Sequence, residues 1–249
     1  MIVYPNAKIN IGLNVLEKRA DGYHQLSSVF YPIKELHDIL EILPAKDFSF
    51  SSSGIAIIGN SNICTKAFDL LKLDFGIGNV SMHLHKQIPV GAGLGGGSAD
   101  GAFALKAFNE LFNIRLSNIE LEKYALQLGA DCPFFIENSP KYITGIGEEM
   151  TNIDLNLSAY KLKFILPDLH ISTLEAYRDI TPQWPKKTLL DLINQPIVDW
   201  KKIVKNDFEI IAFKKYPYLR EMKEKLYTDG AIYASMSGSG SVLYGLFNG

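Results

Sequence analysis

The chain has 249 residues, 47% of them hydrophobic, with 25 Lys plus Arg against 27 Asp plus Glu and a net charge of −2. That length suits one large domain or two small ones with a full core, and the charge balance supplies no basic face for nucleic acid or an anionic membrane surface. Its two cysteines, Cys64 and Cys132, form neither a disulfide framework nor a metal-ligand spacing. The first residues lack the pattern of a signal peptide and no apolar run reaches the length of a membrane span. The expectation is a cytoplasmic enzyme with no nucleic-acid and no membrane partner.

Along the chain, Ala7, Ile9, Ile11, Leu13 and Val15 alternate with Lys8, Asn10, Gly12 and Asn14. Period 2 predicts a half-buried strand that turns Lys8, Asn10 and Asn14 to one face. Arg19-Ala20-Asp21-Gly22-Tyr23-His24 follows as a turn, with Asp-Gly as its hairpin signal. Residues 26–31 and 38–43 read as strands, and 48–54 as a polar loop or edge strand. A helix is expected from Asn62 to Leu71, a strand from Val80 to Ile88, and two helices after residue 98, the second ending at Gly129 as its C′ residue. Ala130-Asp131-Cys132-Pro133 leads into a short apolar strand, Phe134-Phe135-Ile136, and then a strand and turn over 141–147. The polar stretch from Thr151 to Asn156 marks a boundary, giving domains 1–155 and 156–249. The second part reads as α+β: a strand at 161–167, helices from Thr173, Thr188, Asp207 and Tyr218, and a last strand at 242–247 preceded by the small-residue loop Ser237-Gly238-Ser239-Gly240-Ser241.

The most informative stretch is Pro89-Val90-Gly91-Ala92-Gly93-Leu94-Gly95-Gly96-Gly97-Ser98-Ala99, which opens a helix pattern. Glycine permits positive φ and close approach of a ligand to the backbone. The start of a helix offers free N–H groups and the positive end of its dipole, a site for an anion and most often a phosphate. A P-loop would need Lys and then Ser or Thr after its last glycine, and Ser98 follows glycine directly. Gly91-x-Gly93-x-x-Gly96 matches the dinucleotide pattern literally, but a second helix pattern stands where that fold needs a strand. The loop is therefore a phosphate cradle of another kind.

Single residues carry less. A lone lysine such as Lys8 is usually part of a solvated face, Asp131 reads as a turn aspartate, and Cys132 as a small buried apolar residue. Tyr23 and His24 on a hairpin stand evenly between surface and binding roles. His83-x-His85 shares a strand face, but no third ligand is spaced for a metal.

In combination, three motifs in order, Pro5-Asn6-Ala7-Lys8-Ile9-Asn10, the glycine loop and Ser235-Met236-Ser237-Gly238-Ser239-Gly240-Ser241, resemble those of the GHMP kinase superfamily. Within it the chain is most similar to the family of 4-diphosphocytidyl-2-C-methylerythritol kinases. The marks are Arg19-Ala20-Asp21-Gly22-Tyr23-His24, Leu128-Gly129-Ala130-Asp131-Cys132-Pro133-Phe134-Phe135 and Ser172-Thr173-Leu174-Glu175-Ala176-Tyr177. Asn6 and Gly101 depart from that family, in which many members run Pro directly into Ala-Lys and alanine is typical at the second site.

The resemblance implies a two-domain α+β fold, an N-terminal ribosomal S5 domain 2-like part and a ferredoxin-like C-terminal part, with the active site in the cleft between them. It implies transfer of the γ-phosphoryl group of ATP, with Mg²⁺, to a 2-hydroxyl of a small molecule carrying a cytidine diphosphate moiety, in the non-mevalonate route to isoprenoid precursors. Asp131 would be the general base and Lys8 its cationic partner. Residues Pro89 to Ala99 would hold ATP, with Ser98 a possible Mg²⁺ ligand. Asn10, Tyr23, His24 and Tyr177 would bind substrate, with Asn62 and Lys86 near the adenine. A monomer or weak homodimer is expected. The competing expectations are a homoserine or mevalonate type of kinase, a catalytically inactive binding protein of the same fold, and a globular protein whose glycines are structural.

Overall fold

A computed structural model describes residues 1–57 and 62–249. The backbone packs into two compact units, neither continuous in sequence: Met1–Lys8, Pro32–Val90 and Gly95–Ser139 form the first, and Ile9–Tyr31, Gly91–Leu94 and Pro140–Gly249 the second. The sequence suggests one cut near residue 155. Packing divides the chain differently because two long strands, β2 (Asn6–Lys18) and β3 (His24–His37), change unit part-way along, after Lys8 and before Pro32.

In the first unit, β1 (Ile2–Val3), β4 (Ile39–Pro44), β5 (Ser49–Gly54) and β6 (Val80–Lys86) form a sheet of order β1-β4-β6-β5. Strand β4 is antiparallel to both neighbours and β5 lies parallel to β6 at the edge. Strand β6 alternates as its sequence suggests, with Val80, Met82, Leu84 and Lys86 buried and Ser81, His83 and His85 half-buried. The hydroxyls of Ser51 and Ser53 on β5 bond the rings of His83 and His85 at 2.9 Å, a structural use of that histidine pair.

Among the described residues, four helices complete this unit: α1 (Ile63–Phe75), α2 (Gly96–Leu111), α3 (Asn118–Leu128) and α4 (Phe134–Glu137). Asn62 caps α1 by accepting the Cys64 N–H, and Ser117 with Glu120 forms a capping box on α3. Phe68 of α1 meets Phe108 of α2 edge-on at 5.7 Å, both buried; each such side chain contributes about 1.5–3 kcal/mol of burial.

Two expectations change here. Residues 134–136 are helical, not a strand: Pro133 takes φ −57°, ψ −32° and the chain continues as one helical turn. A short apolar run carries no periodicity that separates a strand from a buried helix. Gly129 ends α3 at φ 167°, extended rather than left-handed.

In the second unit, β9 (Tyr160–Ile165), β10 (Tyr233–Met236) and β11 (Leu243–Asn248) form an antiparallel sheet of order β10-β11-β9. Helices α5 (Thr173–Arg178), α6 (Leu189–Ile193), α7 (Ile197–Ile203), α8 (Phe208–Lys215) and α9 (Pro217–Thr228) accompany it. Leu13, Val15, Phe208, Leu219, Met236 and Leu243 share its core. Strands β2 and β3 belong to a further sheet, β2-β3-β7-β8, completed by β7 (Lys141–Thr144) and β8 (Glu149–Asn152).

Strand β2 is not half-buried: from Asn6 to Leu13 both faces are inaccessible, including Lys8 and Asn10. Gly12, at φ +66°, breaks the extended run, so alternation does not carry through to Asn14. Asn10 donates to Ser28, whereas Asn14 reaches Asp207. Among the described residues, no helix is long and apolar enough to cross a membrane.

Candidate active site

The first unit brings Lys8, Asp131 and the C-terminal half of the glycine loop together. Lys8 sits on a strand whose two faces are both covered, and its ammonium lies 3.5 Å from Asp131 Oδ2. The lysine side chain is 4% exposed and that of Asp131 34%. Burial pulls the Lys8 ammonium below the ordinary lysine range, and Asp131 offsets part of that by its charge and hydrogen bond. The arrangement is a dry cation beside a carboxylate that solvent and ligands can reach.

Asp131 stands in the turn between α3 and α4, and α4 is pinned by Lys106, whose ammonium donates to Ile136 O at 3.0 Å. Cys132 is buried and its thiol is pushed up to about 12 by burial, with the Ser98 hydroxyl in hydrogen-bond reach. It behaves as the packing residue expected, and it places the start of α2 beside the Asp131 turn.

Gly95 ends the loop at φ +70° and serves as N-cap of α2 without a side-chain cap. A Cβ there would fall 3.0 Å from Lys8 Cγ and from Phe135 Cζ, so the glycine lets the helix start approach the lysine stem. The N–H groups of Gly96, Gly97 and Ser98 have no intrahelical acceptor, and a Cβ on Gly97 would meet open space. This cradle fits phosphate oxygens. The oxygen donors beside it, the Ser98 hydroxyl and the Asp131 carboxylate, are hard ligands of the kind Mg²⁺ takes together with substrate phosphates.

Beneath the loop lies a buried charge cluster that the sequence reading did not identify. Lys86 Nζ bonds Asp38 Oδ2 at 2.5 Å and Asp100 Oδ2 at 2.8 Å, all three side chains being inaccessible. Lys86 is therefore committed inside the fold rather than presented to a base. Burial pushes the Asp100 carboxyl up to about 8, with Lys86 opposing and Asp38 adding to the rise. Burial also works against the Lys86 ammonium, but the two acids outweigh it and its pKa lies above the usual lysine value. The signal was present in β6, where lysine occupies the phase of Val80, Met82 and Leu84.

The second unit holds the other residues. His24 opens β3 and stacks on Tyr177 of α5 with ring centroids 5.0 Å apart and planes 25° apart; Tyr177 in turn packs edge-on against Phe208. Burial, then the nearby Lys18, lowers the His24 pKa, keeping the ring neutral. Tyr23 is 61% exposed at the hairpin, where Arg19 N–H donates to Tyr23 O. Asn10 is buried and its amide donates to Ser28 Oγ at 2.9 Å. The Ser237 hydroxyl accepts from Asn10 N–H and donates to Gly93 O at 2.8 Å, so the two small-residue loops meet within this unit.

The N-terminal domain of GHMP kinases is matched over residues 62–138, and their C-terminal domain over 189–249. The chain belongs to the GHMP kinases. This GHMP kinase is 49% identical to a 4-diphosphocytidyl-2-C-methyl-D-erythritol kinase of Bacteroides fragilis, covering 100% of this chain and 92% of that one. It is 50% identical to one of Azobacteroides pseudotrichonymphae, covering 99% and 93%. A crystal structure of a 4-(cytidine 5'-diphospho)-2C-methyl-D-erythritol kinase superposes with a TM-score of 0.83 at 31% identity, over 99% of this chain and 90% of that one. A homoserine kinase from Cytophaga hutchinsonii, at 16% identity and a TM-score of 0.64 over 98% and 85% of the two chains, shares the fold. The N-terminal match, residues 62–138, takes in the glycine loop and Asp131 of this GHMP kinase. Lys8 lies outside both matched segments.

Proposed function

We propose that the chain transfers the γ-phosphoryl group of ATP to the 2-hydroxyl of 4-diphosphocytidyl-2-C-methyl-D-erythritol, a step of the non-mevalonate route to isoprenoid precursors. The observation that carries the reading is the Lys8–Asp131 pair, a buried ammonium 3.5 Å from a reachable carboxylate, with Gly95 of the glycine loop against the lysine stem. Phosphoryl transfer is chiefly positioning and charge stabilisation, and these groups supply both. The nearness of the curated relatives over more than nine-tenths of their length supports the choice of substrate.

In this reading the backbone of Pro89 to Ala99 holds the nucleotide phosphates. Asp131 accepts the proton of the 2-hydroxyl as its oxygen bonds to the γ-phosphorus and the bond to ADP breaks. Lys8 keeps Asp131 ionised and offsets the negative charge that develops on the transferred group. Ser98 would be the residue to hold Mg²⁺ beside the phosphates, where the ion would neutralise phosphate charge. The His24–Tyr177 stack and the exposed Tyr23 offer aromatic faces to the cytosine. Asn10, whose amide also donates to Ser28, completes the substrate-binding set. In family terms residues 1–155 make the N-terminal domain and 156–249 the C-terminal one. Both substrates are small, charged and water-soluble, which suits a cytoplasmic enzyme working as a monomer or weak homodimer.

An ADP-release assay with 4-diphosphocytidyl-2-C-methyl-D-erythritol, homoserine and mevalonate as acceptors tests the proposal. Turnover with the cytidine substrate alone is the expected result. Turnover with either of the others instead overturns it, and nucleotide binding without turnover on any acceptor returns the chain to an inactive binding protein.

A further inference from the structure

The buried cluster of Lys86, Asp38 and Asp100 has no part in the proton transfer, yet it touches both limbs of the glycine loop. On the entering limb, Asp38 Oδ1 accepts the N–H of Gln87 at 2.6 Å and of Ile88 at 2.9 Å, while its Oδ2 holds Lys86. On the leaving limb, Lys86 holds Asp100, one turn inside α2. Between them, a Cβ on Gly96 would lie 3.2 Å from Lys86 Nζ and 2.7 Å from Ile88 Cγ2, so the first residue of α2 rests on the lysine and on the entering strand. Asp38 is anchored in turn by its own N–H to Pro5 O at 2.8 Å, three residues before Lys8.

A core position next to Val80, Met82 and Leu84 has no need of charge. Desolvating ions costs several kcal/mol each, and apolar replacements of buried ion clusters are commonly neutral or stabilising. Such a cluster is weak as a stability device and suited to fixing one geometry. Asp100 Oδ1, buried without a donor facing it, adds to that cost.

We propose that Lys86, Asp38 and Asp100 are positioning residues that draw the two limbs of the glycine loop together and so set the spacing of the N–H groups at the head of α2 for the nucleotide phosphates. The inference rests on the reading of that loop as the ATP-phosphate site. None of the three residues touches the nucleotide; they act through Gln87, Ile88 and the first turn of α2.

The test is calorimetric titration with the magnesium complex of a non-hydrolysable ATP analogue, alongside steady-state kinetics and thermal melts. Asp100→Asn keeps the shape of the side chain and leaves Lys86 and Asp38 as a balanced pair. The combined variant Asp38→Asn, Lys86→Met, Asp100→Leu removes all charge while leaving an acceptor for Gln87 and Ile88. Both are expected to melt at or above the temperature of the parent and to bind the nucleotide about tenfold or more weakly, as small misplacements in a site do, with KM for the cytidine substrate unchanged. A folded variant that binds the nucleotide as tightly as the parent overturns the inference; if the combined variant does not fold, Asp100→Asn alone decides. If the parent chain binds no nucleotide, the phosphate reading of the loop fails first and this inference falls with it.

Discussion

Asn6 and Asn138 face each other amide to amide: Asn138 Nδ2 donates to Asn6 Oδ1 at 2.7 Å, and Asn6 Nδ2 returns a longer bond to Asn138 Oδ1 at 3.3 Å. Asn6 stands two residues before Lys8 at the start of β2, and Asn138 ends the helix that follows the Asp131 turn. The pair therefore ties the cation's strand to the carboxylate's turn. This is the position at which the chain departs from the family habit of running Pro into Ala-Lys. Replacing Asn6 by Ala is expected to lower kcat about tenfold through loss of a buried hydrogen bond worth roughly 1 kcal/mol or more, with the KM values little moved. An unchanged kcat would remove the pair from the site.

Asp131→Ala is expected to lower turnover by a factor of about 10² to 10⁴, the usual contribution of a positioned base, while nucleotide binding persists. Coupled ADP-release kinetics with calorimetry on the same sample check it. Activity near that of the parent would exclude Asp131 as the base.

Lys8 sets the pH dependence. Its ammonium must stay charged, and burial lowers its pKa. As pH rises, the charged form is lost earlier than for a solvated lysine, so the basic limb of the kcat profile should begin below 10.5, the ordinary value for this group. Lys8→Arg, with a guanidinium that does not titrate in this range, should flatten that limb even as its bulk lowers the maximum rate. A limb unmoved by Lys8→Arg would assign it to another group.

Stacking on a base is worth about 1–3 kcal/mol per aromatic ring. Tyr177→Ala should accordingly raise KM for the cytidine substrate roughly tenfold or more with KM for ATP unchanged, whereas Tyr177→Phe keeps the ring on His24 and should cost little. Tyr23→Ala should shift the same constant. Equal changes in both KM values would indicate a loss of structure instead.

Gly101 runs against helix propensity, and glycine there costs about 1 kcal/mol relative to alanine. Packing reverses the sign. A Cβ at this position would fall 2.8 Å from Ile63 Cγ1 and 3.2 Å from Leu128 Cδ1, forcing α1 and α3 away from α2. Gly101→Ala should lower the melting temperature, and a rise would show that propensity outweighs the contact.

Much of this was readable before the fold was known. The strand at residues 7–15, the Asp-Gly turn and the helix after the glycine loop follow from local rules and stand where expected, though the half-buried alternation of that strand does not. What local rules miss is set by neighbours distant in sequence. Lys8 looks like any surface lysine until both faces of β2 are covered. Phe134-Phe135-Ile136 is too short for a period, so the turn through Pro133 decides its conformation. Asp38 and Asp100 give no sign of meeting at Lys86, because their separation along the chain hides the contact; only the lysine in the buried phase of β6 hinted at it.

The interleaved make-up of the two units governs the order in which the chain can assemble. Asn10 leaves the ribosome early, yet its N–H bonds Ser237 and its carbonyl accepts from Tyr244, partners 227 and 234 residues later. Lys8, by contrast, can meet Asp131 once the middle of the chain is made. The middle of β2 thus waits for nearly the whole of synthesis, and contacts so distant are slow to form. Truncation before β11 would take the Tyr244 hydroxyl from Asn10 O and leave β9 without its neighbour.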